Sequence, residues 1–178
     1  MAPQNHFNGR TMHIDTSRRL YQQGDTGIAF KIIPSNKHHG LVLSNKLKKD
    51  LVKALEVNQD YARIYAICIY YLIKEKLDSF DNLVICNDEI YVYVKNYLDL
   101  LFEENEKYLS KFITSLSKLR EITGDSNIRS YADNIANIYR KKGLKSKARK
   151  QKGIKLNLQE INYKMIVGKW NEIDEKIK

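Results

Sequence analysis

The sequence is poor in the residues that build disulfide frameworks and zinc sites. Its 178 residues include two cysteines, Cys68 and Cys86, and each lies inside an apolar run. Cysteines in that setting are typical of small buried hydrophobic side chains in a reducing compartment. No group of cysteines and histidines has the spacing of a zinc site. A disulfide scaffold and a structural zinc domain are therefore both disfavoured.

Long apolar segments are also missing. The first residues, MAPQNHFNGR, lack the apolar stretch of a signal peptide, and the strongest apolar run, from Ile64 to Ile73, is far shorter than the roughly 20 residues of a membrane span. The sequence therefore predicts a soluble cytoplasmic protein. With 43% hydrophobic residues the chain can bury one core. We expect a flexible N-terminus at 1–9, one domain at 10–142, and a basic segment with an amphipathic helix at 143–178.

Acidic residues are absent from one segment, between Asp133 and Glu160. Nine basic residues occupy it: Arg140, Lys141, Lys142, Lys145, Lys147, Arg149, Lys150, Lys152 and Lys155. They account for nearly all of the net charge of +10, so the basic character is local. Such a block can bind phosphates without reading sequence, although a block of lysines is also typical of a solvated face. We expect the residues from Arg140 to Lys152 to contact nucleic acid.

Hydrophobic periodicity predicts a mixed α/β (α+β) fold. Strands are expected at "TMHID", "GIAFKIIP", "GLVLS", "DNLVICND" and "KFITSL". Helices are expected from Asn45, over 58–76, at "EIYVYVKNYLDLLF", at "SKLREITG" and at "SYADNIANIYRKKGL", with a charged loop at 103–107. The order predicts a mixed five-stranded sheet that starts as a three-strand meander.

The C-terminal region allows two interpretations. Asn157 and Glu160 have the spacing of a capping box, which predicts a helix from this point. One apolar face of that helix would carry Ile161, Met165, Ile166, Trp170, Ile173 and Ile177. A strand over 154–158 is the alternative.

Three acidic residues lie at predicted ends of strands or at the start of a helix. Asp15 ends the first strand, Asp88 ends the fourth strand, and Asp133 opens a helix after the fifth. If the first and fourth strands are parallel neighbours, the first two carboxylates lie side by side. Each residue also has a structural interpretation: a turn residue for Asp15, a helix cap for Asp88, and a first-turn acid for Asp133.

Clustered carboxylates raise one another's pKa unless a cation neutralises them. Oxygen ligands select Mg²⁺ or Mn²⁺, and such ions can align water and stabilise a leaving oxygen at a phosphodiester. The sequence therefore predicts that Asp15, Asp88 and Asp133 form a catalytic metal site.

Three segments in this order resemble the ribonuclease H-like nucleases. "TMHIDTSRRLYQQGDTGIAFKI" is similar to the family's first hairpin, with an Asp on the strand before a Ser- and Gly-containing turn. "LVICNDEIYVYVKNYL" is similar to its fourth strand and following helix, and "SYADNIANIYRKK" to its last helix. The resemblance covers about 10–142 by order of elements, and by residue only these three segments.

The resemblance implies a metal-dependent endonuclease that hydrolyses RNA or an RNA/DNA hybrid. The chain departs from the family at two points. The acid that the family places on its long helix is replaced here by Ala62 or Arg63, and no histidine follows His39. A catalytically inactive nucleic-acid-binding protein on the same fold is therefore an alternative. A second alternative is an interaction module that uses the C-terminal helix and Trp170.

Overall fold

The chain folds around one five-stranded sheet in a computed structural model that describes residues 6–144, 150–151 and 154–178. The strands are β1 (Thr11–Ser17), β2 (Thr26–Ile33), β3 (His38–Leu43), β4 (Asn82–Ile85) and β5 (Phe112–Ser115). Their order across the sheet is β3-β2-β1-β4-β5. The first three strands pair antiparallel, whereas β4 is parallel to both β1 and β5. The predicted meander and mixed α/β sheet are confirmed.

Seven α-helices and a second small sheet complete the described part of the chain. The helices are α1 (Asn45–Leu55), α2 (Tyr61–Ile73), α3 (Tyr91–Phe102), α4 (Glu106–Leu109), α5 (Leu116–Thr123), α6 (Asp133–Lys142) and α7 (Tyr163–Ile177). The small sheet pairs β6 (Lys150–Gln151) with β7 (Ile154–Lys155). Side chains cap several of these helices: Ser44 accepts from the amide of Leu47 in α1, and Asp60 from that of Arg63 in α2.

The two faces of the sheet bury different sets of side chains. Met12 and Ile14 of β1 and Phe30 of β2 pack into the main core together with α2, α3 and α7. On the other face Ala29 and Val42 pack against Tyr139 of α6. Because strand side chains alternate between faces, Asp15 points to the α6 side with Ala29, its register partner.

Two glycines let α6 lie close to the sheet. A Cβ on Gly27 would come within 2.3 Å of the Ala136 carbonyl oxygen, and a Cβ on Gly40 within 2.6 Å of the Tyr139 ring. Any larger residue would push the helix outward. This contact fixes the N-terminal end of α6, and thereby Asp133, near the end of β1.

Several boundaries differ from the sequence-based expectation. Asp15 does not end β1, which runs on to Ser17, and Asp88 does not end β4, which stops at Ile85. The segment 103–107, expected as a loop, contains the start of α4, which Asn105 caps by accepting from the Tyr108 amide. The C-terminal helix begins after Asn162, which accepts from the Met165 amide, so the capping box at Asn157 is wrong. Part of 154–158 is extended instead: β7 lies there, and Leu158 forms a parallel bridge with Gly40.

The apolar face predicted for the C-terminal helix is buried within the chain. Ile166, Trp170 and Ile173 of α7 join the main core, whereas Ile177 is exposed. Of the expected flexible N-terminus, residues 1–5 lie outside the described residues, and the Phe7 ring packs edge-on against Phe112. Within the described ranges, no helix combines the length and the apolar character needed to cross a membrane.

Candidate metal centre

The pairing of β1 with β4 brings the predicted acidic residues together. Ile14 is the register partner of Ile85, and the amide of Cys86 donates to the Ile14 carbonyl oxygen at 3.0 Å. Cys86 thus occupies the position beside Asp15, and Asp88 follows in a turn. The two strands are parallel neighbours as predicted, but the residue that continues the strand is a cysteine.

The Asp88 carboxylate turns back toward β1. It accepts hydrogen bonds from the Thr16 hydroxyl and from the Cys86 thiol, the latter at 3.0 Å. The N-cap of the next helix is Ile90, and no side chain caps that helix. The interpretation of Asp88 as a helix cap is therefore wrong, and its carboxylate belongs to a polar cluster at the end of the sheet.

Asp15 is buried in the same cluster. Its side chain, that of Cys86 and that of Asp88 each offer a ligand atom, and these atoms lie within 4.8 Å of one another. Burial, together with the charge of Asp88, raises the pKa of Asp15 to about 6. Hydrogen bonds from Cys86, Ser130 and the Thr16 amide oppose this rise only in part. The interpretation of Asp15 as a turn residue is wrong, because it lies within β1.

Cys86 supplies a protonated thiol to this cluster. Burial, followed by the charges of Asp15 and Asp88, holds the pKa of the thiol well above its usual value. On its other side the Cys86 sulfur lies 3.5 Å from the Tyr65 hydroxyl. The apolar run around Cys86 predicted a buried hydrophobic residue, although Cys86 is spaced two residues from Asp88. This spacing was the feature of the sequence that could have placed Cys86 in the site.

The cluster has the composition of a cation site. Neither Asp15 nor Asp88 forms an ion pair in the part of the chain that the structure describes. The buried Asp15 carboxylate and the half-buried Asp88 carboxylate repel each other, and a divalent cation would remove that cost. Carboxylate oxygens are the ligands that Mg²⁺ and Mn²⁺ prefer. Asp15, Cys86 and Asp88 could therefore bind a metal ion, and the Cys86 thiol donates a hydrogen bond to Asp88.

Asp133 lies close by but outside this group. It is exposed in the first turn of α6 and lines a cavity of 490 Å³ together with Asp15. Arg120, Arg129 and Ser130 line the same cavity. The cavity thus places two arginines beside the acids, which suits an anionic ligand, and sequence analysis missed both of these arginines.

A fourth acid, Glu89, was also missed. One of its carboxylate oxygens is buried and has no hydrogen-bond partner among the described residues. Burial raises the pKa of Glu89 to about 7, with further contributions from the charges of Asp88 and Asp60, while Arg19 opposes the rise. The position of Glu89 directly after Asp88 was the feature of the sequence that could have identified it as a site residue.

The long helix α2 brings no acidic side chain into the cluster. Ala62 is buried, and the Arg63 guanidinium lies 4.0 Å from the Trp170 ring centre, on the side of α7. The residue of α2 that reaches the cluster is Tyr65, through Cys86.

The basic segment is described only in part. Arg140 donates to the Ser17 hydroxyl and to the Asn137 amide oxygen, both at 2.9 Å, so it is tied to the end of β1. Lys141 is exposed and Lys142 half-buried. The backbone of Lys150 lies in β6. The other residues predicted to contact nucleic acid, Lys145, Lys147, Arg149 and Lys152, lie outside the described residues.

Metal binding at this cluster is expected to stabilise the fold. At a free Mn²⁺ concentration of 100 times the dissociation constant, linkage predicts about 2.7 kcal/mol of added stability. Asp15→Asn should remove most of this gain, because one of the two carboxylate ligands is lost. Thermal unfolding with and without Mn²⁺ measures the effect. An equal stabilisation of wild type and variant would contradict the assignment of Asp15 as a ligand.

Comparison with known proteins adds no relative to this picture. Neither a family model, nor a curated protein sequence, nor a solved structure matches the chain significantly. What the cluster can do therefore follows from its own residues, above all from the proximity of Asp15 to Asp88.

Proposed function

We propose that the chain is a metal-dependent nuclease of the ribonuclease H-like type, which hydrolyses phosphodiester bonds in RNA or in an RNA/DNA hybrid. The observation that carries this proposal is the proximity of the Asp15 and Asp88 side chains at the ends of parallel neighbouring strands. The order of the five strands and the resemblance of three segments to that family support it. A fold alone does not define an activity, so the proposed nuclease activity rests on the residues of the site.

The two carboxylates would hold Mg²⁺ or Mn²⁺. The bound ion would act as a Lewis acid on a phosphoryl oxygen and activate water. The Thr16 hydroxyl and the Cys86 thiol hold the Asp88 carboxylate in place, and Ser130 does the same for Asp15. Asp133, at the cavity next to Asp15, would complete the acidic shell through water or substrate.

The cations around the site would hold the nucleic-acid backbone. Arg120 and Arg129 line the cavity that contains Asp15 and Asp133. On another side Arg140 reaches Ser17, at the end of the strand that carries Asp15. Side chains of this kind contact phosphates without reading the bases. We therefore expect substrate choice to depend on backbone shape and on 2′-hydroxyl groups.

One observation favours a second candidate, an inactive nucleic-acid-binding protein on the same fold. The ribonuclease H-like nucleases carry an acid on their long helix. Here α2 instead contributes Tyr65, a neutral residue that contacts the cluster through the protonated Cys86 thiol. Fewer carboxylates bind a second ion more weakly. In that case the basic surface would remain as the functional part of the molecule.

Cleavage assays separate the two candidates. Purified protein is incubated with end-labelled RNA/DNA hybrid, RNA duplex and DNA duplex in Mn²⁺, in Mg²⁺ and in EDTA. The nuclease proposal expects cleavage of the RNA strand in the hybrid or in the RNA duplex, and none in EDTA. Tight binding without cleavage under every metal condition would favour the inactive protein.

Arg129→Gln is expected to weaken nucleic-acid binding equally for all sequences. The side chain is exposed and lines the cavity, so its loss removes about one phosphate contact. The slope of log K against log salt should fall in magnitude by about one. Fluorescence anisotropy at several salt concentrations measures this slope. Lys164→Gln, an exposed cation on α7, is the control, and equal slopes for both variants would contradict the assignment.

A further inference from the structure

A second cavity lies far from the acidic cluster, beside the turn between β2 and β3. Its volume is 650 Å³, and its polar lining includes Ser35, Lys37, His38, His39, Lys76 and Ser79. Lys76 and Ser79 come from the segment that follows α2, whereas Asp60, at the other end of α2, is near Glu89. Since α2 has thirteen residues, the two regions are about 20 Å apart along the helix.

The charge of this cavity has one sign. No residue that lines it is acidic. Within the described ranges neither Lys37 nor Lys76 takes part in an ion pair, whereas Lys95, Lys107 and Lys176 each pair with a carboxylate. Burial lowers the pKa of His38 and of His39, and the ammonium groups of Lys31 and Lys76, respectively, lower it further. A hydrogen bond with the Gln159 side chain opposes the shift of His39 in part. The cavity therefore has a positive potential that the described residues leave without a counter-charge.

One of the two imidazoles, that of His39, has a buried nitrogen without a hydrogen-bond partner among the described residues. This nitrogen is Nε2, and the His39 ring stacks on Phe30. Nδ1 of His38 lies 3.1 Å from the Tyr139 hydroxyl oxygen. That hydroxyl donates its single proton to the Asn157 carbonyl oxygen, so the His38 Nδ1–H must be the donor in the contact with Tyr139. Buried polar atoms normally have partners, and a ligand in the cavity would supply one for His39.

We propose that this cavity binds a phosphorylated small molecule of about the size of a nucleotide. A phosphate monoester carries up to two negative charges and three acceptor oxygens, which match the ammonium groups of Lys37 and Lys76 and the hydroxyls of Ser35 and Ser79. A volume of 650 Å³ holds more than a phosphate and falls in the range of ligand pockets. The site is independent of the nuclease proposal, because it shares no residue with the acidic cluster.

Histidine imidazole resonances report on this site directly by NMR. The chain has four histidines, of which His38 and His39 line the cavity, while His13 is buried next to Tyr131. Titration with AMP or with inorganic phosphate is expected to shift the resonances of His38 and His39 and to leave that of His13 in place. AMP should saturate at the lower concentration, because its nucleoside fills the rest of the cavity.

One further probe and three variants make the test decisive. Adenosine without phosphate should cause no shift, and Lys76→Gln should weaken AMP binding at least tenfold, as expected for the loss of a charged hydrogen bond. Lys74→Gln, two residues away and exposed, is the control and should bind AMP normally. Asp88→Asn should also bind normally, which separates this site from the nuclease proposal.

Three results would overturn the proposal. The first is the absence of a shift at His38 and His39 with AMP and phosphate at millimolar concentrations. The second is equal weakening by Lys74→Gln and Lys76→Gln. The third is a response only to an oligonucleotide that lacks a terminal phosphate, which would identify the backbone of a nucleic acid as the ligand.

Discussion

Asp88→Asn is expected to lower metal-dependent cleavage on the order of 10²- to 10³-fold, the range found when one group that stabilises developing charge is removed. The variant keeps an oxygen that can accept from Thr16 and Cys86, so the turn after β4 should persist. It loses the negative charge that would hold the ion beside Asp15. The measurement is the initial rate of cleavage of labelled hybrid at saturating Mn²⁺, with circular dichroism to verify the fold.

Asp50→Asn is the matched control for this substitution. Asp50 is an exposed acid on α1 that belongs neither to the cluster nor to the cavity beside Asp15, and the same chemical change there should leave the rate unchanged. Full activity of Asp88→Asn at every Mn²⁺ concentration would refute the metal-site assignment. A parallel loss in both variants would show that net charge, rather than the cluster, governs the rate.

Trp170→Ala is expected to lower the free energy of unfolding by about 3–5 kcal/mol, the usual cost of truncating a large buried aromatic side chain. The indole is 7% exposed in the main core. It also covers the buried Arg63, whose guanidinium lies 4.0 Å from the ring centre and pairs with Asp174 at 2.8 Å. The variant would leave a cavity beside this buried charge. Urea unfolding followed by circular dichroism measures the change.

Ile177→Ala tests the same helix at an exposed position. Because the Ile177 side chain is 58% exposed, its truncation should cost well under 1 kcal/mol. A small effect for both variants would mean that α7 contributes little to the stability of the domain. Its apolar face would then be available for another partner, which was the third interpretation of the sequence.

Local patterns in the sequence predicted most of the secondary structure. The alternating and continuous apolar runs identified all five strands of the main sheet, and helical spacing identified α2, α3 and α6. Such patterns work because each element must bury one face, and its period fixes which residues lie there. The start of α7 was wrong because several Asn residues near it, including Asn157 and Asn162, can cap a helix, and packing decides between them.

The candidate site was predictable as a region but not as a set of contacts. The order of elements placed Asp15 and Asp88 at one edge of the sheet, since parallel neighbouring strands end at the same edge. It did not reveal that Cys86, rather than Asp88, stands beside Asp15. A shift of one residue in strand register exchanges the side chains on the two faces, and periodicity alone does not fix this register.

The sequence by itself determined the strand and helix order and the local concentration of basic charge. These properties depend on neighbours along the chain. Only the tertiary structure decided that Thr16 and Cys86 bind Asp88, that Arg120 and Arg129 flank the Asp15 cavity, and that α7 packs into the core. Apart from the contact of Cys86 with Asp88, these contacts join residues distant in sequence; Thr16 and Asp88, for example, are 72 positions apart. Strand register and helix packing bring such residues together, and no local pattern encodes either one.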